Sequence, residues 1–144
     1  MHTASPDFAL HHARIWGIGV DLCQIDRVAA AHTRHPLRFA QRILTPEEYA
    51  LFMARSRQDS SRGLQFLASR FAAKEALAKA LGTGIRGVMG FQAASVLPDE
   101  LGKPCVHTHG ELTKLFAANG WVAHISLSDA SGWVVAYCVI EKTA

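Results

Sequence analysis

The sequence predicts an α+β domain in which a small, mostly antiparallel sheet packs against one long central helix and several shorter ones. Three observations carry this. Residues 17–22 set Gly17, Gly19 and Asp21 in alternation with Ile18, Val20 and Leu22, the two-residue period of a strand. Residues 61–81 hold an apolar stripe at Leu64, Leu67, Ala68, Phe71, Ala72, Leu77, Ala80 and Leu81, the period of a helix. Residues 122–128 and 133–140 alternate again and flank the turn Asp129-Ala130-Ser131-Gly132, which predicts a hairpin. A strand, then helices, then strands is the α+β pattern. The 144 residues suit one domain, and 49% hydrophobic against 19% charged residues favours a packed core over disorder.

In order along the chain, residues 1–13 read as a loose lead-in and residues 14–144 as the single domain. The first strand, Arg14 to Leu22, contains Gly17 and Gly19, which in a strand mark close approach by another backbone or by a ligand. Asp26 to Ala31 is helical, and His35-Pro36 breaks it. A short helix follows over Leu37 to Leu44, with Phe39 and Ile43 spaced i, i+4. Thr45-Pro46-Glu47-Glu48 is a helix start: Thr45 caps, Pro46 suits the first turn, and Glu48 stands three residues after the cap. That helix runs to about Arg55, and the polar stretch Arg55 to Arg62 reads as a loop. The longest helix, Ser61 to Leu81, is filled by strong helix formers in RFAAKEALAKAL, and Gly82 stops it. Phe91 to Leu97 is a strand, Pro98 to Pro104 a turn, and Cys105 to Thr108 a second short strand. Gly110 to Asn119 is a helix with Leu112, Leu115 and Phe116 inward, ended by Gly120.

Fifteen Lys and Arg against 12 Asp and Glu leave a net charge of +3, too little to argue for an anionic partner by itself. The scattered arginines lack interleaved aromatic residues, and no helix-turn-helix pattern stands out, so a nucleic-acid partner is not predicted. The three cysteines, Cys23, Cys105 and Cys138, are odd in number and form no C-x-x-C pair. They read as reduced thiols of a cytoplasmic protein rather than a disulfide framework or zinc site. The pairs His11/His12 and His107/His109 lack the spacing of a transition-metal site. There is no signal-peptide pattern and no apolar run near ~20 residues, so no membrane association is predicted.

The stretch GTGIRG, Gly82 to Gly87, matches the G-x-G-x-x-G of a dinucleotide-binding turn. Its context is reversed. It follows a long helix, at the electronegative end, instead of leading from a strand into a helix N-terminus. Two readings of the glycines stand: a helix cap with a tight turn, or a wall where a ligand lies against the backbone. Glu75 and Lys79 also carry two readings. Four residues apart on one helix face, they make either a surface ion pair worth a few tenths of a kcal/mol or part of a site. Ala72, Ala73, Ala76, Ala78 and Ala80 strip bulk from around them. Asp21 ends a strand that must pack on this helix if there is one core, so Asp21 and Glu75 can converge. Two carboxylates with open coordination positions suit Mg²⁺, and Lys79 one turn on could reach a phosphate oxygen. Such a set fits phosphoryl transfer.

These residues carry a family resemblance. GIGVDL with Asp26-Arg27, RFAQRILTPEE, FLASRFAAKEALAKALGTGIRG, LGKP and HISLSD occur in this order across residues 15–142. In this the chain resembles the holo-[acyl-carrier-protein] synthases, the short-type 4'-phosphopantetheinyl transferases. The resemblance implies the fold of that family and transfer of 4'-phosphopantetheine from coenzyme A to a serine of apo acyl carrier protein. Adenosine 3',5'-bisphosphate is the by-product. It also implies Mg²⁺, with Mn²⁺ a possible substitute, a role in fatty acid biosynthesis, and a homotrimer with active sites between subunits. It places the metal on Asp21 and Glu75, the catalytic roles on Asp21, Glu75 and Lys79, and coenzyme A contacts on Lys79, Gly82, Gly84, His124 and Ser126. For His124 a structural role on its strand is the other reading.

The carrier protein in such reactions is acidic, so its docking surface should be basic with an apolar centre. The resemblance puts that surface on Arg27, Arg38, Phe39, Arg42 and Ile43. The alternative is a helix that packs Phe39 and Ile43 into the core and leaves the arginines outside. Asp129 stands where some relatives carry histidine, and Arg86 to Gly90 matches less closely. A non-catalytic coenzyme A or nucleotide-binding module would not need the set Asp21, Glu75 and Lys79. The longer transferases that serve peptide synthetases resemble two fused copies, and 144 residues hold one.

Overall fold

The computed structural model describes residues 14–143; the lead-in read over residues 1–13 lies outside the described residues. The chain runs β1 (Ile15–Gln24), α1 (Ile25–Arg34), α2 (Pro36–Ile43), α3 (Pro46–Gln58) and α4 (Ser60–Leu81). A 3₁₀ turn (Phe91–Ala93) then leads into β2 (Ala94–Pro98), β3 (Pro104–Thr108), α5 (Gly110–Asn119), β4 (Trp121–Ala130) and β5 (Trp133–Lys142). The strands form an antiparallel three-stranded sheet in the order β1-β5-β4 and a separate hairpin of β2 and β3.

The long helix α4 lies on one face of the larger sheet, and the two glycines of β1 explain how closely. A Cβ built on Gly17 would stand 2.0 Å from the Ala80 carbonyl oxygen, and one on Gly19 would stand 2.0 Å from that of Ala76. Strand and helix therefore touch backbone to backbone, and the small residues on both sides are the condition for it. Of the two readings of these glycines, close approach by another backbone is the one found. The seam also fixes the faces of β1. Gly17, Gly19, Asp21 and Cys23 point to the helix, while Ile18, Val20 and Leu22 point away and are exposed. The alternation in the sequence is right, but the apolar set lies on the face that α4 does not cover.

Under the sheet the core is built from Leu67, Ala72, Ala76 and Leu77 of α4, Val134, Ala136, Cys138 and Ile140 of β5, and Ile43, Phe52, Met89 and Leu112. The capping box at α3 is present in full, with Thr45 and Glu48 bonding each other's backbone. The loop read over Arg55 to Arg62 is absent. α3 continues to Gln58, and α4 begins at Ser60 with Asp59 as a shared junction whose carboxylate accepts from the Ser61 amide at 2.9 Å. Arginines are good helix formers on an exposed face, and one N-cap acid is enough to turn the chain between two helices. Phe91 belongs to the 3₁₀ turn, so β2 starts three residues later than the pattern suggests.

Candidate active site

Asp21 sits near the C-terminal end of β1 and faces α4, as its place in the alternation requires. Opposite it on α4 stand Glu75 and, one turn later, Lys79. The Lys79 ammonium donates to Asp21 Oδ1 at 3.1 Å and to the Val20 carbonyl at 3.0 Å. Lys79 thus reaches across to the strand, and its charged partner is Asp21 rather than Glu75. The surface i, i+4 pair is not formed. Burial pushes the Glu75 carboxyl above the usual carboxylate range, the negative charge of Asp21 adds to this, and Lys79 opposes it. A carboxyl held up in this way is a better proton acceptor than an ordinary one.

Asp21 and Glu75 open into a cleft of about 540 Å³ whose walls include Arg27, Arg34, Phe39, Phe71 and Trp133. Arg27 and Arg34 come from α1 and Phe39 from α2, so a basic rim with an aromatic wall borders the carboxylates. Arg38 and Arg42 are exposed on α2. Ile43 is not: at 2% exposure it belongs to the core, because it sits on the side of α2 that packs against α4. The docking patch read from the sequence therefore loses Ile43 and keeps Phe39 as a half-buried centre.

The glycines of GTGIRG have positive φ at Gly82 (83°), Gly84 (69°) and Gly87 (60°). Gly82 closes α4, and the amides of Gly82, Thr83 and Gly84 all donate to the Ala78 carbonyl. The cap and tight turn account for these residues within the chain. A Cβ at any of the three meets nothing within 4 Å, so the turn lies open on that side.

His124 and Ser126 are not gathered with the carboxylates. They alternate with inward-facing Ala123, Ile125 and Leu127 on β4, and so point to the outer face of the sheet. There they pair with Val139 and Tyr137 of β5, whose own cross-strand partners on β1 are Ile18 and Val20. His124 Nε2 stands 3.0 Å from Glu141 Oε2.

Two groups of residues escaped the sequence. Lys74 and Glu48 form a fully buried ion pair. The Lys74 ammonium also donates to the Ile43 carbonyl at 2.6 Å and the Phe91 carbonyl at 2.7 Å, while Glu48 accepts from the Val96 amide at 2.7 Å. Burial pulls the Lys74 pKa down, and Glu48 opposes that. The signal was there: Lys74 stands in the apolar stripe, with Leu67, Phe71, Leu77 and Ala78 at helical spacing around it. The second group is a cleft of about 430 Å³ lined by Arg55, Arg62 and Arg70 with Ser69, Ser128 and Asp129. Arg70 stacks on Phe66 at 4.1 Å, and burial brings its pKa down to about 10. Arg62 and Arg70, eight apart on α4, stand about 80° apart around the helix and both reach this cleft.

The donor chemistry at Asp21 and Glu75 fits a hard divalent cation. Both offer carboxylate oxygens, Asp21 raises the cost of the Glu75 charge, and among the described residues no third His, Cys, Asp or Glu closes the group. A cation held there would keep coordination positions for phosphate oxygens and water.

The profile of the 4'-phosphopantetheinyl transferase superfamily matches residues 17–138. The chain is 41% identical over 128 residues to the holo-[acyl-carrier-protein] synthase of Variovorax paradoxus, covering 89% of this chain and 98% of that one. Among solved structures, the holo-[acyl-carrier-protein] synthase of Neisseria meningitidis superposes with a TM-score of 0.81 at 40% identity, over 89% of this chain and 99% of that one. The Bacillus anthracis enzyme of the same name, crystallised in complex with CoA (3',5'-ADP), superposes with a TM-score of 0.76 at 33% identity, over 90% and 99%.

Proposed function

The chain belongs to the 4'-phosphopantetheinyl transferase superfamily, and from this we infer that it is a holo-[acyl-carrier-protein] synthase. It moves 4'-phosphopantetheine from coenzyme A to a serine of apo acyl carrier protein and releases adenosine 3',5'-bisphosphate. The observation that carries the reading at the site is the meeting of Asp21, Glu75 and Lys79 across the seam of β1 and α4, beside a cleft with a basic rim.

Asp21 and Glu75 would hold Mg²⁺, or Mn²⁺ in its place. When bound, such an ion would supply neutralisation of the pyrophosphate charge. Glu75, facing the cleft, takes the proton of the carrier serine. The serine oxygen forms a bond to the phosphorus nearer pantetheine as the bond from that phosphorus to the bridging oxygen breaks, and the nucleotide leaves with that oxygen. Lys79 uses two of its three ammonium hydrogens on Asp21 and Val20. The third can meet the negative charge that grows on the leaving phosphate. Gly82 and Gly84 give an open backbone wall beside Lys79 for coenzyme A. Arg27, Arg38, Phe39 and Arg42 form the docking surface for the acidic carrier protein.

The working form we propose is a homotrimer in the cytoplasm. Ile18 (59% exposed), Val20 (52%) and Leu22 (60%) make a row on the outer face of the sheet, continued by Trp133 and Tyr137. A contiguous apolar face of this kind marks an association surface. His124 and Ser126 lie on it, turned away from their own chain's carboxylates, so their contact with coenzyme A would be made at the cleft of a neighbouring subunit. Val20→Glu should then yield a smaller species by sedimentation and lose transfer together. No helix among the described residues is long and apolar enough to cross a membrane.

The test of the reaction is an intact-mass assay with apo acyl carrier protein, coenzyme A and Mg²⁺. The carrier should gain one phosphopantetheine, and the gain should vanish without metal and in Glu75→Gln. A gain that survives Glu75→Gln would keep the reaction and overturn the site. No gain with any of several carrier proteins, from folded protein that binds coenzyme A, would overturn the transferase reading.

A further inference from the structure

The helix α2 ends without a glycine cap. α4 and α5 both stop at a left-handed glycine, Gly82 and Gly120, that returns its amide to the last turn. At the end of α2 stands Leu44 in an extended conformation; its amide returns to the Ala40 carbonyl, which leaves the carbonyls of Gln41, Arg42, Ile43 and Leu44. The four terminal carbonyls of a helix need donors from somewhere. Here two distant side chains supply them. Gln92, on the 3₁₀ turn, shares the two hydrogens of its Nε2 among three carbonyls, those of Gln41 at 2.9 Å, Arg42 at 3.2 Å and Leu44 at 2.8 Å. Lys74 donates to the one that remains, Ile43. Lys74 also holds the Phe91 carbonyl, the residue before Gln92, and Glu48 at the start of α3.

This clamp joins the two halves of the site. On one side is α2, eight residues long and too short to hold its own shape, with Arg38, Phe39 and Arg42. On the other is α4, where Lys74 directly precedes Glu75. Phe39 and Glu75 line one cleft. The clamp therefore sets where the docking patch stands relative to the carboxyl that receives the serine proton.

We infer that Lys74 and Gln92 are positioning residues for the carrier-protein half of the reaction, fixing α2 to α4 through its C-terminal carbonyls. This rests on the phosphopantetheinyl transfer reading above. Gln92 is exposed, so Gln92→Met keeps the bulk, removes the donor and should fold. It is expected to raise KM for carrier protein about fivefold and leave KM for coenzyme A and kcat within about twofold. Amide hydrogen exchange should quicken in α2 and stay unchanged in α4. The double variant Lys74→Met/Glu48→Leu removes the buried charges together, which a core tolerates far better than one alone. It should show the same rise in KM for carrier protein. Equal changes in both KM values, or a fall in kcat alone, would reduce the clamp to general stability and overturn the inference. Wild-type protein that modifies no carrier would defeat the transfer reading instead. The exchange experiment would still judge the clamp, which fails if α2 is equally protected in Gln92→Met and wild type.

Discussion

Gly19→Ala adds one methyl group where β1 and α4 touch. Its Cβ would stand 2.0 Å from the Ala76 carbonyl oxygen and 2.7 Å from the Ala80 nitrogen, while ordinary contact begins at about 3.4 Å. Both are backbone atoms of a buried helix, so no rotamer change relieves the clash. Strand and helix must part by more than ~1 Å, in a core packed as densely as a crystal. Overpacking costs about 1–3 kcal/mol, and a backbone-to-backbone clash belongs at the upper end. For a domain of this size ~3 kcal/mol lowers Tm by roughly 10 °C. The same movement separates Asp21 on β1 from Glu75 on α4, and a misplacement of ~1 Å can cost about 100-fold in rate. Urea unfolding gives the first quantity. Initial rates of carrier modification, taken where the variant is still folded, give the second. Stability within ~0.5 kcal/mol of wild type would refute the seam itself. Lost stability with an unchanged rate would refute the claim that the seam sets the spacing of the carboxylates.

Glu48→Ala strands the Lys74 ammonium in the core and should cost about 3–5 kcal/mol in urea unfolding; a loss below ~1 kcal/mol would mean that the pair is not buried as described. Glu75→Gln should abolish transfer and yet raise Tm in metal-free buffer at pH 8. A carboxyl whose native pKa lies above its unfolded value binds more protons in the native state, so stability falls as pH rises from the unfolded value through the native one. Glutamine escapes that loss, and the advantage should close as the pH is lowered toward 4, where glutamate is protonated in both states. A destabilised Glu75→Gln at pH 8 would contradict the burial and repulsion assigned to this residue. Burial pushes the Cys138 thiol up to about 12 and also raises that of Cys23. At pH 8 an aromatic disulfide reagent should therefore react with Cys105 first and leave Cys138 untouched until the protein unfolds, and rapid labelling of Cys138 in the native state would refute its place in the core.

Local signals were legible and non-local ones were not. The cap at Thr45, the stop at Gly82 and the periods of β1, α4, β4 and β5 depend on neighbours within a turn or two, and each is found as read. So is the convergence of Asp21 and Glu75, since a single core leaves that strand and that helix no other partner. The loop at Arg55 to Arg62 failed because polarity was taken for irregularity, whereas Asp59 alone separates two helices. Ile43 failed as a docking residue because the spacing that makes it a neighbour of Phe39 says nothing about which neighbour faces water. Lys74 lies about 100° around the helix from Glu75. Its own face is the buried one, and its partners come from 26, 31 and 17 residues away. No periodicity reports contacts at such separations.

The face of β1 was the hardest feature to read, and it joins the site to the proposed assembly. An apolar row alternating with glycine suggests that the apolar row is the covered one. Here the helix needs the glycines, because β1 and α4 approach to backbone contact, and in that arrangement Asp21 and Glu75 share a cleft. Turning Gly17 and Gly19 inward brings Asp21 in with them and sends Ile18, Val20 and Leu22 out. The strand period allows no other outcome. The chain thus obtains its carboxylate pair by leaving an apolar row uncovered beside Tyr137 and Trp133, and burial of that row requires a second surface. His124 and Ser126 share this outer face. In the homotrimer proposed above, covering the row would bring another chain against these two residues. The geometry that joins Asp21 and Glu75 within one chain is the geometry that leaves this apolar face exposed.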